Sequence, residues 1–164
     1  VLQGFYFFIK QVVLEEVLSP ATSNFFKTVS IPAVVSYFLF LEEKYKLTFG
    51  TDSLEEAAVC TKLARFYEKH ELYSDAQKAW KKVLGIYEKV YKGDHSKVAI
   101  ASRNLGMCYQ NEQDCLKFTG FLLQAQSMFK RLNMASDYEQ LKEYFSDKKH
   151  MEQAEYYYFF RSFH

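Results

Sequence analysis

The chain is poor in residues that break regular structure. Its 164 residues hold two prolines and six glycines, too few for a fold made of many tight turns, and this favours helices. Neither sign of charge prevails: 21 Lys+Arg against 20 Asp+Glu leave a formal charge of +1. A protein that grips a phosphate backbone carries a marked basic excess, so nucleic acid is excluded as the main partner. Cysteine is scarce and odd in number. Cys60, Cys108 and Cys115 show no CxxC spacing, and neither a disulfide framework nor a zinc site is expected. This fits a reducing, intracellular location, cytoplasmic or mitochondrial. His70, His95, His150 and His164 form no metal-binding spacing. The longest apolar runs, Val1 to Ile9 and Ile31 to Leu41, fall short of the ~20 residues that span a bilayer. No membrane span is expected; peripheral contact through residues 1–18 would show as co-sedimentation with liposomes. The chain opens on Val1, as expected of a processed product or of part of a longer chain.

The constellations of an enzyme are missing too. Gly4, Gly50, Gly85, Gly93, Gly106 and Gly120 are isolated, so there is no phosphate-cradling loop, and no GxSxG elbow occurs. The carboxylate pairs Glu15-Glu16, Glu42-Glu43 and Glu55-Glu56 fall at helix ends or on polar faces. Cys60 sits at a helix packing position, where a small core residue is expected rather than a nucleophile. No catalysis and no cofactor is expected.

Aromatic residues are abundant instead: 16 Phe, 13 Tyr and one Trp make 18% of the chain. A buried Phe stabilises by ~1.5–3 kcal/mol relative to exposure, so a core is easily built. A chain this small cannot hide all of these rings, and part of them is expected to meet another chain.

From Ser53 onward the pattern is helical. Ser53-x-x-Glu56, Ser74-x-x-Gln77 and Ser136-x-x-Glu139 have the form of capping boxes, and Asp94 and Asp114 are candidate caps. Apolar residues recur at three- and four-residue intervals: Leu63, Phe66, Tyr67, then Ala76, Trp80, Val83, Leu84, Tyr87, Val90. Helix starts near 53, 74, 95, 115, 136 and 149 predict antiparallel pairs joined by short loops.

The pairs repeat. Leu63-Ala64-x2-Tyr67-x8-Ala76-x3-Trp80-x2-Val83 returns from Leu141 as Phe145, Ala154 and Tyr158 at the same spacings. A middle copy opens at Leu105-Gly106 with Tyr109, but its second half, Ala125, Phe129 and Leu132, comes seven residues late. Seven residues are about two helical turns, so Asp114 to Leu123 is expected to be an inserted loop or a lengthened helix. An earlier half-copy, Ala33, Tyr37, Phe40, Leu41 and Gly50, keeps the spacing of Ala76, Trp80, Val83, Leu84 and Gly93. Pro32 is tolerated in the first turn of that helix, and Leu2 to Leu18 would be its degenerate partner.

This arrangement resembles the tetratricopeptide repeat, and most closely the long repeats of kinesin light chains. Tyr87-Glu-Lys-Val-Tyr-Lys-Gly-Asp-His95, followed by Val98-Ala99, matches their junction between repeats, with Ser96 where proline is usual. The forty-two residues from Leu63 to Leu105 are the long-repeat value. The resemblance implies an all-α solenoid of about three and a half repeats over one domain, 1–164. Residues 1–30 form an N-terminal packing helix and connector, 31–52 a half repeat, and 53–94, 95–134 and 135–164 three repeats. It also implies a concave wall of first helices carrying Thr61 and Arg65, Arg103 and Met107, and Glu139 and Glu143. Asn104 matches the asparagine that holds a peptide backbone in light-chain repeats, whereas Lys62 and Gln140 stand there in the other copies. The carboxylate clamp of chaperone-binding relatives is not reproduced. An adaptor that takes an extended, acidic peptide against Arg65, Arg103, Asn104 and Met107 is the alternative function.

The ends carry the main expectation. Terminal repeats of a solenoid need a polar outer face, yet Tyr156, Tyr157, Tyr158, Phe159 and Phe160 are consecutive, and Phe5 and Phe8 lie in a similar run. Both ends are expected to be covered by more chain, a second copy or a different subunit. The expected function is a scaffold subunit that docks other protein subunits through these rings.

Overall fold

The computed structural model describes residues 30–111, 115–147, 152 and 155–159. The chain is an all-α solenoid of antiparallel helix pairs. Six helices follow one another: α1 (Ile31–Phe49), α2 (Leu54–Lys69), α3 (Tyr73–Tyr91), α4 (Ser96–Asn111), α5 (Cys115–Arg131) and α6 (Ala135–Ser146). Residues 155–159 are helical as well, and no strand occurs among the described residues. Each helix packs chiefly on its neighbours in sequence.

The molecule is more regular than its residues suggest. Helices α1, α3 and α5 start at Ile31, Tyr73 and Cys115, forty-two residues apart each time, and α2 and α4 start at Leu54 and Ser96, again forty-two apart. Burial keeps the same step. Glu56, Ala57, Val59, Cys60, Leu63, Ala64 and Phe66 are buried in α2; Val98, Ala99, Ala101, Ser102, Leu105, Gly106 and Cys108 are their equivalents, all buried, in α4. On the second helix of each pair, Val34, Ala76 and Phe118 form one buried set, and Phe38, Trp80 and Leu122 the next.

Two expected registers change as a result. The half repeat aligns through Val34 and Phe38, 1% and 4% exposed, while Ala33 and Tyr37, one residue earlier, are only half-buried on the helix flank. The middle pair contains no insertion: α2 and α4 are both 16 residues long, and positions 112–114 separate α4 from α5 as 70–72 separate α2 from α3. What changed is residue size. Ala76 and Trp80 become Phe118 and Leu122, so the large and small members of the pair are exchanged at the same places. Cores accept such swaps when volume is roughly kept.

Close helix approach explains the small residues. Ala64, Ala76 and Ala125 are fully buried, and a methyl group on Gly106 would lie 3.1 Å from Leu122 Cδ2 and 3.2 Å from Phe121 Cβ. Helix starts are only partly as the capping patterns suggest. Ser53 caps α2, accepting from Glu56 N at 3.2 Å, while Glu56 Oε2 accepts from Asp52 N at 2.8 Å. At α3 and α6 the chain enters the helix one residue before Ser74 and Ser136, from Leu72 and Met134, which offer no side-chain cap. Asp94 does not cap α4; His95 Nδ1 accepts from Lys97 N at 3.2 Å, and Asp94 pairs with Arg131. Asp114 lies outside the described residues, as do Leu2 to Leu18.

The step shortens at the last pair. From Leu105 to Leu141 it is thirty-six residues. Leu141 is the one residue of α6 that is fully buried, with Tyr138, Tyr144 and Phe145 packed partly against the core.

Candidate interaction surfaces

Cross-pair contacts define two layers. In the first, α2, α4 and α6 are joined by polar side chains. Glu68 of α2 accepts from the Trp80 indole N–H of α3 at 2.8 Å and from the Cys108 thiol of α4 at 3.3 Å. Its equivalent one step on, Gln110, donates to the Tyr144 hydroxyl of α6 at 2.8 Å. In the second layer Lys82 of α3 reaches back to Glu42 of α1 and to Glu56 of α2, the latter at 2.5 Å. Lys46 completes this cluster, 2.8 Å from Glu42 and 3.9 Å from Glu56.

The cluster's charges are set by competition. Burial pushes the Glu42 carboxyl up, but hydrogen bonds from Lys46 and Lys82 outweigh it and hold the group below its ordinary range. Burial likewise works against the Lys82 ammonium, and the two carboxylates more than offset it, so its pKa is raised. Cys60 lies beside them, and burial first, then Glu42, pushes its thiol up to about 12. That is the opposite of an activated nucleophile. Among the described residues no group of His, Cys, Asp and Glu could hold a metal ion.

A second tie repeats with the step itself. Lys89 Nζ stands 2.7 Å from Asp52 Oδ2, and Arg131 grips Asp94, with Nη2 2.8 Å from Oδ1. Both Asp52 to Asp94 and Lys89 to Arg131 span forty-two residues. Each pair fastens the end of a second helix to the turn before the preceding first helix. The signal was present in the sequence as two acids and two cations one step apart.

The predicted groove residues fare unequally. Arg65 is exposed on α2. Arg103 is half-buried: its Nη1 lies 2.6 Å from Asp137 Oδ1 and its guanidinium 5.8 Å from the Phe129 ring centre. It therefore ties α4 to α6, leaving Arg65 as the open cation of the two. Asn104 is half-buried, and Met107 is 37% exposed. Glu139 is exposed and bonded to Lys142 at 3.0 Å; Glu143 is exposed.

The aromatic residues at the end divide. Tyr156, Tyr158 and Phe159 are 52%, 57% and 59% exposed. Tyr158 thus does not take the buried place of Trp80. Tyr157 is half-buried and lies over Gly120 of α5, where an added methyl would come within 2.9 Å of Tyr157 Cε2. Beside this contact runs an open groove of about 760 Å³, lined by Leu116, Lys117, Phe121, Leu123, Arg131 and Tyr158. Phe5, Phe8 and Phe160 lie outside the described residues. At the other end, α1 shows Leu39, Phe40, Leu47 and Phe49 at 51–81% exposure. Among the described residues no helix is long and apolar enough to cross a membrane.

Geometry of this kind defines a helical-repeat protein, built by stacking pairs rather than around one closed core. The solved structures agree. The crystal structure of BtubC (BKLC) from P. vanneervenii superposes with a TM-score of 0.62 at 14% sequence identity, over 74% of this chain and 51% of that one. This chain thus matches about half the length of that protein, and at such identity the likeness is one of fold. No family model matches the chain, and no curated protein matches it by sequence.

Proposed function

We propose that this chain is a tetratricopeptide-like scaffold without catalytic activity, which docks another protein subunit through its C-terminal aromatic face. The observation that carries the reading is the exposure of Tyr156, Tyr158 and Phe159 beside the groove along α5. Contiguous aromatic surface of this kind marks protein contacts, where rigid rings bury much area at little entropic cost. The burial pattern supports the repeat type: a small residue at Ala64 and Gly106, an aromatic at Tyr67 and Tyr109, and a large residue at Trp80 and Leu122. The pushed-up Cys60 thiol argues against that residue as a nucleophile.

The test compares affinity capture from the native cells by the unaltered chain and by Tyr158→Glu with Phe159→Glu. Both positions are exposed, so the helices should stay intact by circular dichroism. Loss of specific co-purifying subunits from the altered chain is expected. Identical sets of retained proteins would refute docking through this face.

A second reading has one observation in its favour: Arg65 is exposed on the first-helix layer, where an acidic peptide could reach it. Arg65→Glu should then abolish partner capture while leaving the melting temperature unchanged. Arg103 is unsuited to that test, because its loss also breaks the tie to Asp137.

A further inference from the structure

The C-terminal face carries both halves of a contact. One half is the groove along α5, apolar at Leu116, Phe121 and Leu123, with two cations, Lys117 and Arg131, and no acid in its lining. The other half borders it, since Tyr157 and Tyr158 belong to the same lining. Residues 155–159 are helical, and on a helix positions 155, 156 and 159 share one side. That stripe is Glu155, Tyr156 and Phe159, all exposed, the two rings by 52% and 59%. Tyr157 is on the opposite side of the helix and lies over Gly120, which fixes the stripe away from α5. The hole is apolar and basic; the knob beside it is aromatic and acidic.

Their spacings agree. Glu155 and Phe159 are four residues apart on their helix, as Lys117 and Phe121 are on α5, about 6 Å of rise in each case. A stripe laid along the groove therefore sets a carboxylate on a cation and a ring beside a ring in one register. Arg131 is held by Asp94, so Lys117 is the cation in question. Its ammonium lies 5.2 Å from the centre of the Tyr109 ring, and with three N–H donors it can serve more than one partner.

We propose that the partner of the C-terminal face is a second copy of this chain. A two-fold axis relates the copies, and Glu155, Tyr156 and Phe159 of each enter the groove of the other, with Glu155 on Lys117 and Phe159 beside Phe121. This rests on the docking reading above and names its partner. A face made for a different subunit needs only one of the two halves, whereas pairing with itself uses both, and two-fold pairs are the commonest closed assemblies. A buried ring covers about 150–250 Å², so Tyr156, Tyr158 and Phe159, each a little over half exposed, bring about 300 Å² per copy. With the groove wall the face reaches the low end of specific interfaces, about 600 Å² a side. A dimer of that size is expected to form at roughly 1–100 μM.

The experiment is sedimentation velocity of the full chain across that range. The unaltered chain should pass from monomer to dimer, and Phe159→Glu should stay monomeric. Glu155→Lys and Lys117→Glu are exposed positions, and circular dichroism checks that the helices persist. Each change sets like charge against like across the axis and should weaken the dimer about tenfold or more. Their equimolar mixture is the decisive sample. In a mixed pair both contacts again join a lysine to a glutamate, so the dimer should return. An unaltered chain that is monomeric throughout, a dimer untouched by Phe159→Glu or by the charge reversals, or a mixture no more dimeric than its components would each overturn the second copy. The docking reading fails separately. A monomeric chain that still loses its captured subunits on Tyr158→Glu with Phe159→Glu has a different subunit on this face, and docking stands.

Discussion

The stretch from α1 to α5 and the stretch from α6 onward follow different rules. In the first, the step is constant, and each junction is fastened by residues one step apart: Glu42, Glu56 and Lys82, then Asp52 with Lys89 and Asp94 with Arg131. In the second, the step shortens, α6 buries only Leu141, and three large rings are more than half exposed. Stability in a solenoid is the sum of pair and junction terms, so the body is expected to be the more stable part and α6 the less stable one. Elements that bind are commonly drawn from the less stable end. The contrast fits the proposed division, with support in one part of the molecule and docking in the other.

The severest way to break the contrast is Trp80→Ala. The indole is 1% exposed, and its N–H is held by Glu68. Truncation opens a cavity and loosens a carboxylate that joins α2, α3 and α4, at a cost of about 3–5 kcal/mol. In urea unfolding the whole body should melt at a much lower midpoint. A loss below about 1 kcal/mol would mean that α3 is not the centre of the array.

Lys82→Met should come next, at about 3 kcal/mol, because Glu56, with a side chain only 2% exposed, then has Lys46 at 3.9 Å as its remaining ion-pair partner among the described residues. The same cluster gives a pH signature with a definite sign. Glu42 is held below its ordinary range, so its share of stability is present above the unfolded carboxyl range and is lost as pH falls through its lowered folded value. Lys82 is raised above its usual 10.5; its share is present below that value and is lost as pH rises through the higher folded value. Glu42→Gln should flatten the acid limb, and Lys82→Met both limbs. Limbs of unchanged steepness in both variants would show that the cluster does not govern the first junction.

Much of this architecture was legible beforehand, for physical reasons that differ by residue. Leu63, Ala64, Trp80, Leu105 and Gly106 could be read because their size is dictated by close helix approach. The helix starts near 53, 74, 95, 115 and 136 fell within a residue of the observed ones. Ala125 and Phe129 misled because a shift of seven residues returns to the same helix face, so a false register satisfied the periodicity. Only the exchange of Ala76 and Trp80 for Phe118 and Leu122, a packing fact, settles it. Arg103 and Asn104 were read from the resemblance to a repeat family, which says nothing of Asp137 coming within 2.6 Å of Arg103. The Lys82 cluster went unnoticed because its members come from three helices, and no local spacing reveals them.

The finest test sets two glycines against each other. In both, alanine would gain about 1 kcal/mol of helix propensity, so the difference lies in what the new methyl meets. At Gly106 it meets Phe121 Cβ at 3.2 Å and the Leu122 side chain at 3.1 Å. Leu122 is wholly buried and the Phe121 atom is fixed close to its backbone, so neither can withdraw, and overpacking outweighs the propensity. Gly106→Ala should cost about 1 kcal/mol net. At Gly120 the methyl meets the far side of the Tyr157 ring at 2.9 Å, a side chain that can swing outward. Gly120→Ala should therefore leave the unfolding midpoint nearly unchanged while displacing Tyr157, read as altered tyrosine fluorescence and as loss of any subunit captured by the proposed C-terminal face. Equal stability losses at the two glycines would erase the distinction between a rigid body and an adaptable end. A silent Gly106→Ala would mean that α4 and α5 are not in the close contact on which the common step depends.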